Sequence, residues 1–297
     1  MAPRLVCALL AVLLAACGDR AQPRPPTVTP APVAGPGDPA DSGFPGVRAS
    51  ERAVEVWAIG DGANGSSESR ALARLIAEDD PDLVLYTGDV YEHGEPEEFR
   101  RNVGEPYAPL LKRMLPTPGN HDWATHETGY DPFWAQVTGK PPPAHYAVRA
   151  GAWKILSLNT EEDLPAQAAW AREQLAERPA CRLAFWHRPR FSAGSHGDQP
   201  DVEPFWDAVA GRAALVLTGH DHNLQRFKPR DGTVQIVTGA GGKDHYDLDE
   251  DDPRAAFLDD EVDGGVRLVL RPGRADFEIV AADGRQLDRG SVPCRAL

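Results

Sequence analysis

Four short apolar runs in this chain each stop on a residue able to hold a metal ion. Val54–Gly60 ends at Asp61, Leu83–Thr87 at Gly88-Asp89, Cys181–Trp186 at His187, and Ala213–Thr218 at Gly219-His220-Asp221-His222. A fifth segment passes through Pro116 and Pro118 to Gly119-Asn120-His121-Asp122. Such runs predict buried strands. Helical stretches are expected between them, at Ser67–Asp79 (Leu72, Leu75 and Ile76 on one face) and near Glu97–Met114. Strand then helix, repeated, predicts an α/β fold with parallel segments. Ligands of such sheets bind beyond the carboxyl ends of the strands, where Asp61, Asp89, Asn120, His187, His220 and His222 are expected to converge.

The residue types define the chemistry. Two carboxylates, a carboxamide oxygen and three imidazoles form a mixed oxygen and nitrogen set. It suits Fe, Mn or Zn, and not a thiolate site or an all-oxygen calcium site. Six donors exceed what one open catalytic ion takes, whereas a bridging carboxylate lets them hold two. Paired ions about 3.5–4 Å apart clamp the attacking and leaving oxygens of a phosphoryl displacement. Taken singly, Gly88-Asp89 is a turn and Gly119-Asn120-His121-Asp122 a loop. Two imidazoles in one tight loop after an apolar strand, with the others in this order, carry the metal reading.

These ordered motifs resemble the calcineurin-like metallophosphoesterase superfamily, in its purple-acid-phosphatase-like branch, from about Ala53 to Gly242. Ala184-Phe185-Trp186-His187-Arg188-Pro189-Arg190-Phe191-Ser192 and Gly219-His220-Asp221-His222-Asn223 are similar to segments of bacterial relatives. The resemblance implies two mixed β-sheets in a sandwich flanked by α-helices, with a dinuclear centre at one edge. Much of the superfamily opens with Asp-x-His, but here Ala63 stands two after Asp61. Purple acid phosphatases supply a tyrosinate from Gly-Asp-x-x-Tyr; Gly88-Asp89-Val90-Tyr91 is one residue shorter.

The resemblance implies one ion on Asp61, Asp89, Tyr91 and His222. It implies a second on Asp89, Asn120, His187 and His220, with Asp89 bridging. A Tyr91 ligand implies Fe(III) beside Zn, Mn or Fe(II). His121 and His196 are implied to face the substrate, stabilising phosphoryl charge and protonating the leaving alcohol. Asp122 either orients His121 or is a surface residue. His93, His126, His145 and His245 are surface or structural residues, and Thr238–Lys243 forms tight turns lining the pocket. The implied activity is hydrolysis of phosphate monoesters, small substrates attacked by metal-bound hydroxide without a phosphoenzyme. The rivals are a phosphodiesterase acting on nucleotides or lipid head groups, and a non-catalytic surface lipoprotein that keeps the fold.

Among the 297 residues, Lys+Arg 31 against Asp+Glu 45 gives a formal charge of −14, no footprint for a nucleic-acid partner. Leu5–Ala16 is uncharged and too short to span a bilayer, so residues 1–16 are expected to be a signal peptide. Leu14-Ala15-Ala16-Cys17 resembles a lipobox. That implies a membrane anchor through lipidated Cys17 and an exported, cell-envelope location; ordinary cleavage near the same alanines is the other reading. Eight prolines between Ala21 and Val47 predict an extended tether over residues 18–50, leaving 51–297 as the catalytic domain. Cys181 and Cys294 then lie where disulfides form, and either a bridge or a buried free Cys181 fits. The acidic stretch Asp244–Asp263 is expected to be a solvated loop, because a calcium loop begun at Asp247 would have Asp252 and Leu258 at its sixth and twelfth positions. Val266–Leu270 and Asp276–Ala281 predict closing strands.

Overall fold

The computed structural model describes residues 43–47, 53–176 and 181–294. The expected signal peptide, Cys17 and most of the tether lie outside the described residues. Residues 43–47, inside the stretch expected to be tether, pack on the folded domain: Phe44 is buried and its ring lies 4.6 Å from that of Tyr146.

In chain order the elements are β1 (Val54–Ile59), α1 (Ser67–Asp79), β2 (Leu83–Tyr86), β3 (Met114–Pro116), α2 (Tyr130–Thr138), β4 (Tyr146–Ala150) and β5 (Trp153–Ser157). There follow α3 (Leu164–Ala176), β6 (Cys181–Phe185), α4 (Glu203–Val209), β7 (Leu215–Thr218), β8 (Leu224–Phe227) and β9 (Val234–Thr238). The chain closes with β10 (Ala255–Asp259), β11 (Gly264–Arg271), β12 (Arg274–Ala281) and β13 (Gln286–Pro293). They form a six-stranded sheet ordered β13-β12-β11-β1-β2-β3 and a seven-stranded sheet ordered β10-β8-β9-β7-β6-β5-β4. β1, β2 and β3 run parallel, as do β5, β6, β7 and β9; every other pairing is antiparallel. The expected sandwich of two mixed sheets is what forms.

Side-chain alternation sets the layers. On β6, Leu183 and Phe185 enter the core that also holds Val56, Leu85 and Leu268 of the other sheet. Ala184 between them faces the opposite way, into a second core with Trp170 and Leu175 of α3 and Phe205 and Trp206 of α4. Helix α1 starts where the Ser66 hydroxyl accepts the Ser69 amide at 3.0 Å, and ends at Asp80, in left-handed backbone before Pro81.

Two expectations change. The region Glu97–Met114 is no single helix but a short turn at Pro96–Glu98, a π-helical turn at Phe99–Gly104 and a 3-10 turn at Leu111–Arg113. Gly104, Pro106 and Pro109 explain this. Glycine is a weak helix former, and proline lacks the amide and crowds the carbonyl four residues back. The acidic stretch Asp244–Asp263 contains a strand, because its least charged part, Ala255–Asp259, pairs antiparallel with β8. Cys181 and Cys294 are disulfide-bonded, tying the C-terminal tail to the start of β6.

The sheets meet at the carboxyl ends of their parallel strands. Gly60 donates its amide to the Thr238 carbonyl at 2.8 Å, and the Thr238 hydroxyl donates to the Ala58 carbonyl at 3.1 Å.

Candidate metal centre

At that edge, loops from both sheets deliver polar side chains to one point. Asp61 follows β1, Asp89 follows β2, and Asn120 opens the helical turn Asn120–Trp123 after β3. His187 follows β6, and His220 and His222 lie between β7 and β8. Three of these residues occupy left-handed backbone: Asp61 at φ 56°, Asp89 at φ 68° and His220 at φ 72°. Non-glycine residues seldom adopt it, and such strain gathers at functional loops. Two glycines give the carboxylates room, since a Cβ on Gly119 would stand 2.0 Å from Asp89 Oδ1 and one on Gly219 2.5 Å from Asp61 Oδ2.

The side chains form two groups sharing one oxygen. In the first, Tyr91 Oη lies 2.8 Å from Asp61 Oδ1, 3.1 Å from Asp89 Oδ2 and 2.9 Å from His222 Nε2. In the second, His187 Nε2 lies 3.4 Å from Asp89 Oδ2, 3.1 Å from Asn120 Oδ1 and 3.2 Å from His220 Nδ1. Asp89 Oδ2 belongs to both. Donor atoms of Asp61, Asp89 and His187 all fall within 4.8 Å of one another. The one-residue shortening before Tyr91 leaves its hydroxyl inside the first group.

Outer contacts aim these donors. His187 Nδ1 donates to the Thr87 carbonyl at 2.8 Å and His222 Nδ1 to the Asp244 carbonyl at 2.8 Å, so in each ring Nε2 is the atom aimed at the site. Asp61 Oδ2 accepts the His220 amide at 2.8 Å, and Asp89 Oδ1 accepts the His121 amide at 3.0 Å.

Of the three expected catalytic residues, His121 and His196 stand at the rim and Asp122 does not. His121 Nε2 is 4.0 Å from Asp89 Oδ2, with 35% of the side chain exposed. His196 Nδ1 lies 3.1 Å from Asp221 Oδ1, its ring 4.2 Å from that of His220, with 37% exposed. Asp122 is buried, and its carboxylate accepts the amides of Gly119, Asp89 and Val90 at 2.8–2.9 Å. It ties the two ligand loops together and does not orient His121, whose Nδ1 lies 2.6 Å from the Glu92 carbonyl. The physical reason is that loop amides without strand partners need an acceptor, and a buried carboxylate supplies two oxygens.

Sequence reasoning misses several neighbours. Asp221 holds His196 and also accepts the Ser192 hydroxyl. The Tyr246 ring stacks on His222 at 4.1 Å, and Lys243 Nζ lies 4.7 Å over the Tyr91 ring. Position within the motifs is the available signal for Asp221, between two ligands, and for Lys243, in the glycine turn expected to line the pocket.

The electrostatics call for positive charge at this point. Burial and the Asp89 charge push Asp61 up to about 7. Burial also works against charge on Asp89, yet the His187 charge and hydrogen bonds keep it well below the usual carboxylate range. Burial disfavours the His187 imidazolium, but Asp89 and Asp61 push it up to about 10. Burial brings His222 down to about 4, and burial with the His187 charge drives His220 far down. A proton on His187 thus sits where the carboxylates demand positive charge, and the remaining imidazoles stay neutral as ligands must. The donor set fits divalent metal ions.

Residues 55–224 match the family described as calcineurin-like phosphoesterase. The chain belongs to that family. Over 180 residues it is 27% identical to the glycerophosphodiester phosphodiesterase GpdQ of Enterobacter lignolyticus (strain SCF1), covering 53% of this chain and 62% of that protein. The matched part therefore spans less than two thirds of that relative. Similar solved structures include the purple acid phosphatase PPD1 of yellow lupin (Lupinus luteus), with TM-score 0.70, 17% identity, and coverage of 82% of this chain and 54% of that one. GAP50, the anchor in the inner membrane complex of Plasmodium, gives TM-score 0.66 and 14% identity, covering 82% and 90%. These likenesses establish the calcineurin-like phosphoesterase fold.

Proposed function

We propose that the protein is a metal-dependent hydrolase of phosphoric esters that prefers monoesters. The observation that carries this reading is Asp89 Oδ2, shared between a group with Asp61, Tyr91 and His222 and a group with Asn120, His187 and His220. When bound there, a metal pair supplies Lewis acidity and lowers the pKa of water. A Tyr91 phenolate would be a hard anionic donor, whose charge favours a hard, highly charged cation. Fe(III) suits this position, with Zn, Mn or Fe(II) in the other.

The protein's own residues do the rest. His196 donates Nδ1–H to the Asp221 carboxylate, which fixes its tautomer and leaves Nε2 to carry a proton for the leaving alcohol. His121 Nε2 stands at the rim, 4.0 Å from Asp89 Oδ2, where an imidazole N–H offsets charge on the phosphoryl oxygens. The Ser192 hydroxyl is committed to Asp221, and Cys181 is oxidised with Cys294, so displacement by water without a phosphoenzyme agrees with the site. An exported protein anchored through Cys17 agrees with the Leu5–Ala16 run and the disulfide.

Diester hydrolysis is a second reading, favoured by the similarity to GpdQ. The test compares 4-nitrophenyl phosphate with bis(4-nitrophenyl) phosphate, using protein purified with its metals and Asn120→Ala as background. Faster monoester turnover supports the proposal, and the reverse ratio moves it to diesters. Neither activity in metal-loaded protein overturns both and leaves a binding protein.

A further inference from the structure

Arg188 follows the donor His187 and belongs to neither metal group. Its Nε and Nη2 donate to Glu161 Oε1 and Oε2 at 2.7 and 3.2 Å, a two-bond pair. Glu161 is fixed in turn. Its amide donates to Asn159 Oδ1 at 2.8 Å, and the Thr160 hydroxyl donates to its Oε1 at 3.0 Å. This grip fixes the plane of the guanidinium and sends the remaining nitrogen, Nη1, toward the site, 3.4 Å from His220 Nε2.

The identity of the facing atoms decides what belongs there. His220 Nδ1 is turned to His187 Nε2 and the second metal group. A histidine ligating through Nδ1 carries its proton on Nε2. Two N–H donors, one of them cationic, then face each other with no acceptor between them among the described residues. An anionic oxygen completes that arrangement. The place is open to such a ligand: the Arg188 side chain is 28% exposed while its anchor Glu161 is 14% exposed. The rim residue His196 stands beside the same His220 ring. In a chain of formal charge −14, an anionic substrate needs a local cation of this kind.

We propose that Arg188, positioned by Glu161, binds the additional unesterified oxygen of a phosphate monoester and so sets the preference for monoesters over diesters. This rests on the phosphoester-hydrolase reading above. A monoester dianion has one more anionic oxygen than a diester. In a diester that position carries an ester oxygen and its carbon substituent, a poor acceptor that leaves both N–H groups unpaired. A site built to hydrogen-bond a substrate oxygen disfavours the analogue that lacks it through such unmet pairing.

The experiment uses full-length, metal-loaded protein and the variants Arg188→Gln, Arg188→Lys and Glu161→Gln, each with metal content measured. Turnover of 4-nitrophenyl phosphate and bis(4-nitrophenyl) phosphate is compared, and binding of inorganic phosphate is followed by calorimetry. Arg188→Gln should lose about 10- to 100-fold in kcat/KM for the monoester and about threefold or less for the diester, with phosphate affinity falling about tenfold. Arg188→Lys should recover only part of this, because an ammonium cannot keep the two-bond grip and also present a third fixed donor. Glu161→Gln should raise KM for the monoester more than it lowers kcat. An unchanged monoester-to-diester ratio and unchanged phosphate affinity in fully loaded Arg188→Gln overturn the inference and leave the hydrolase reading standing. If the wild-type protein turns over neither ester, that reading falls and the monoester-preference proposal falls with it.

Discussion

The Tyr91 hydroxyl stands 2.9 Å from His222 Nε2, and the same hydroxyl lies 2.8 Å from Asp61 Oδ1. On the proposed reading, a cation displaces the phenol proton and Tyr91 becomes a ligand. Protein purified with iron should therefore show a visible tyrosinate-to-iron charge-transfer band, and Tyr91→Phe should abolish it. Iron-loaded wild-type protein without colour would remove Tyr91 from the donor set and leave the other six residues in place.

Asp122→Ala separates architecture from chemistry. Three backbone amides lose their shared acceptor in a buried place, at a cost of about 3–5 kcal/mol. Urea unfolding of the metal-free variant should show that loss. A variant as stable as wild type but inactive would instead return Asp122 to a catalytic role.

Asp221→Asn tests the hold on His196. Its carboxylate accepts both the His196 amide, at 3.0 Å, and Nδ1–H. On the proposed role of His196, the exchange should lower kcat by about 10- to 100-fold while leaving metal content intact, since the contacts of the Asp221 carboxylate run to His196 and Ser192 and to no metal-group donor. Restoration of kcat with a 2,4-dinitrophenyl leaving group, which needs no protonation, identifies the step.

His145 makes stability pH-dependent. It packs against Trp170 with ring centroids 4.6 Å apart, and neither ring nitrogen has a hydrogen-bond partner among the described residues. Burial pushes its pKa below the ordinary 6.5, a shift that the Asp163 charge opposes. The fold thus favours neutral imidazole. Its contribution is complete above the unfolded value and is lost as pH falls from there through the lower folded value. Urea midpoints measured between about pH 8 and pH 5 should decline, and His145→Phe should flatten that decline.

The Cys181–Cys294 bond closes a loop of sequence separation 113. Reducing it, or replacing both cysteines by alanine, should lower stability by about 2–5 kcal/mol. Catalysis below the melting range should persist, because Cys181 opens β6 whereas His187 follows its opposite end. Equal melting temperatures with and without reductant would contradict this.

The sequence carries the ligand loops well because each follows a short apolar strand, and strand ends fix where the next residue must go. Asp61, Asp89, Asn120, His187, His220 and His222 could be placed together for that reason. Helix α1 is legible from its spacing. What stays hidden depends on partners far along the chain. Glu161 grips Arg188 across 27 residues, and Asp122 binds amides 32 and 33 residues away, contacts that leave no periodic trace. Strand β10 is masked by its acidic neighbours, since pairing with β8 needs backbone only.

Because Asp61 and Asp89 extend from one sheet and His187, His220 and His222 from the other, metal ions bound among them as proposed would act as a clasp across the sandwich. Cofactor occupancy and fold integrity are then one equilibrium, and the melting temperature should climb with free metal concentration. Chelation should loosen this edge first, ahead of the far end where the disulfide holds the tail.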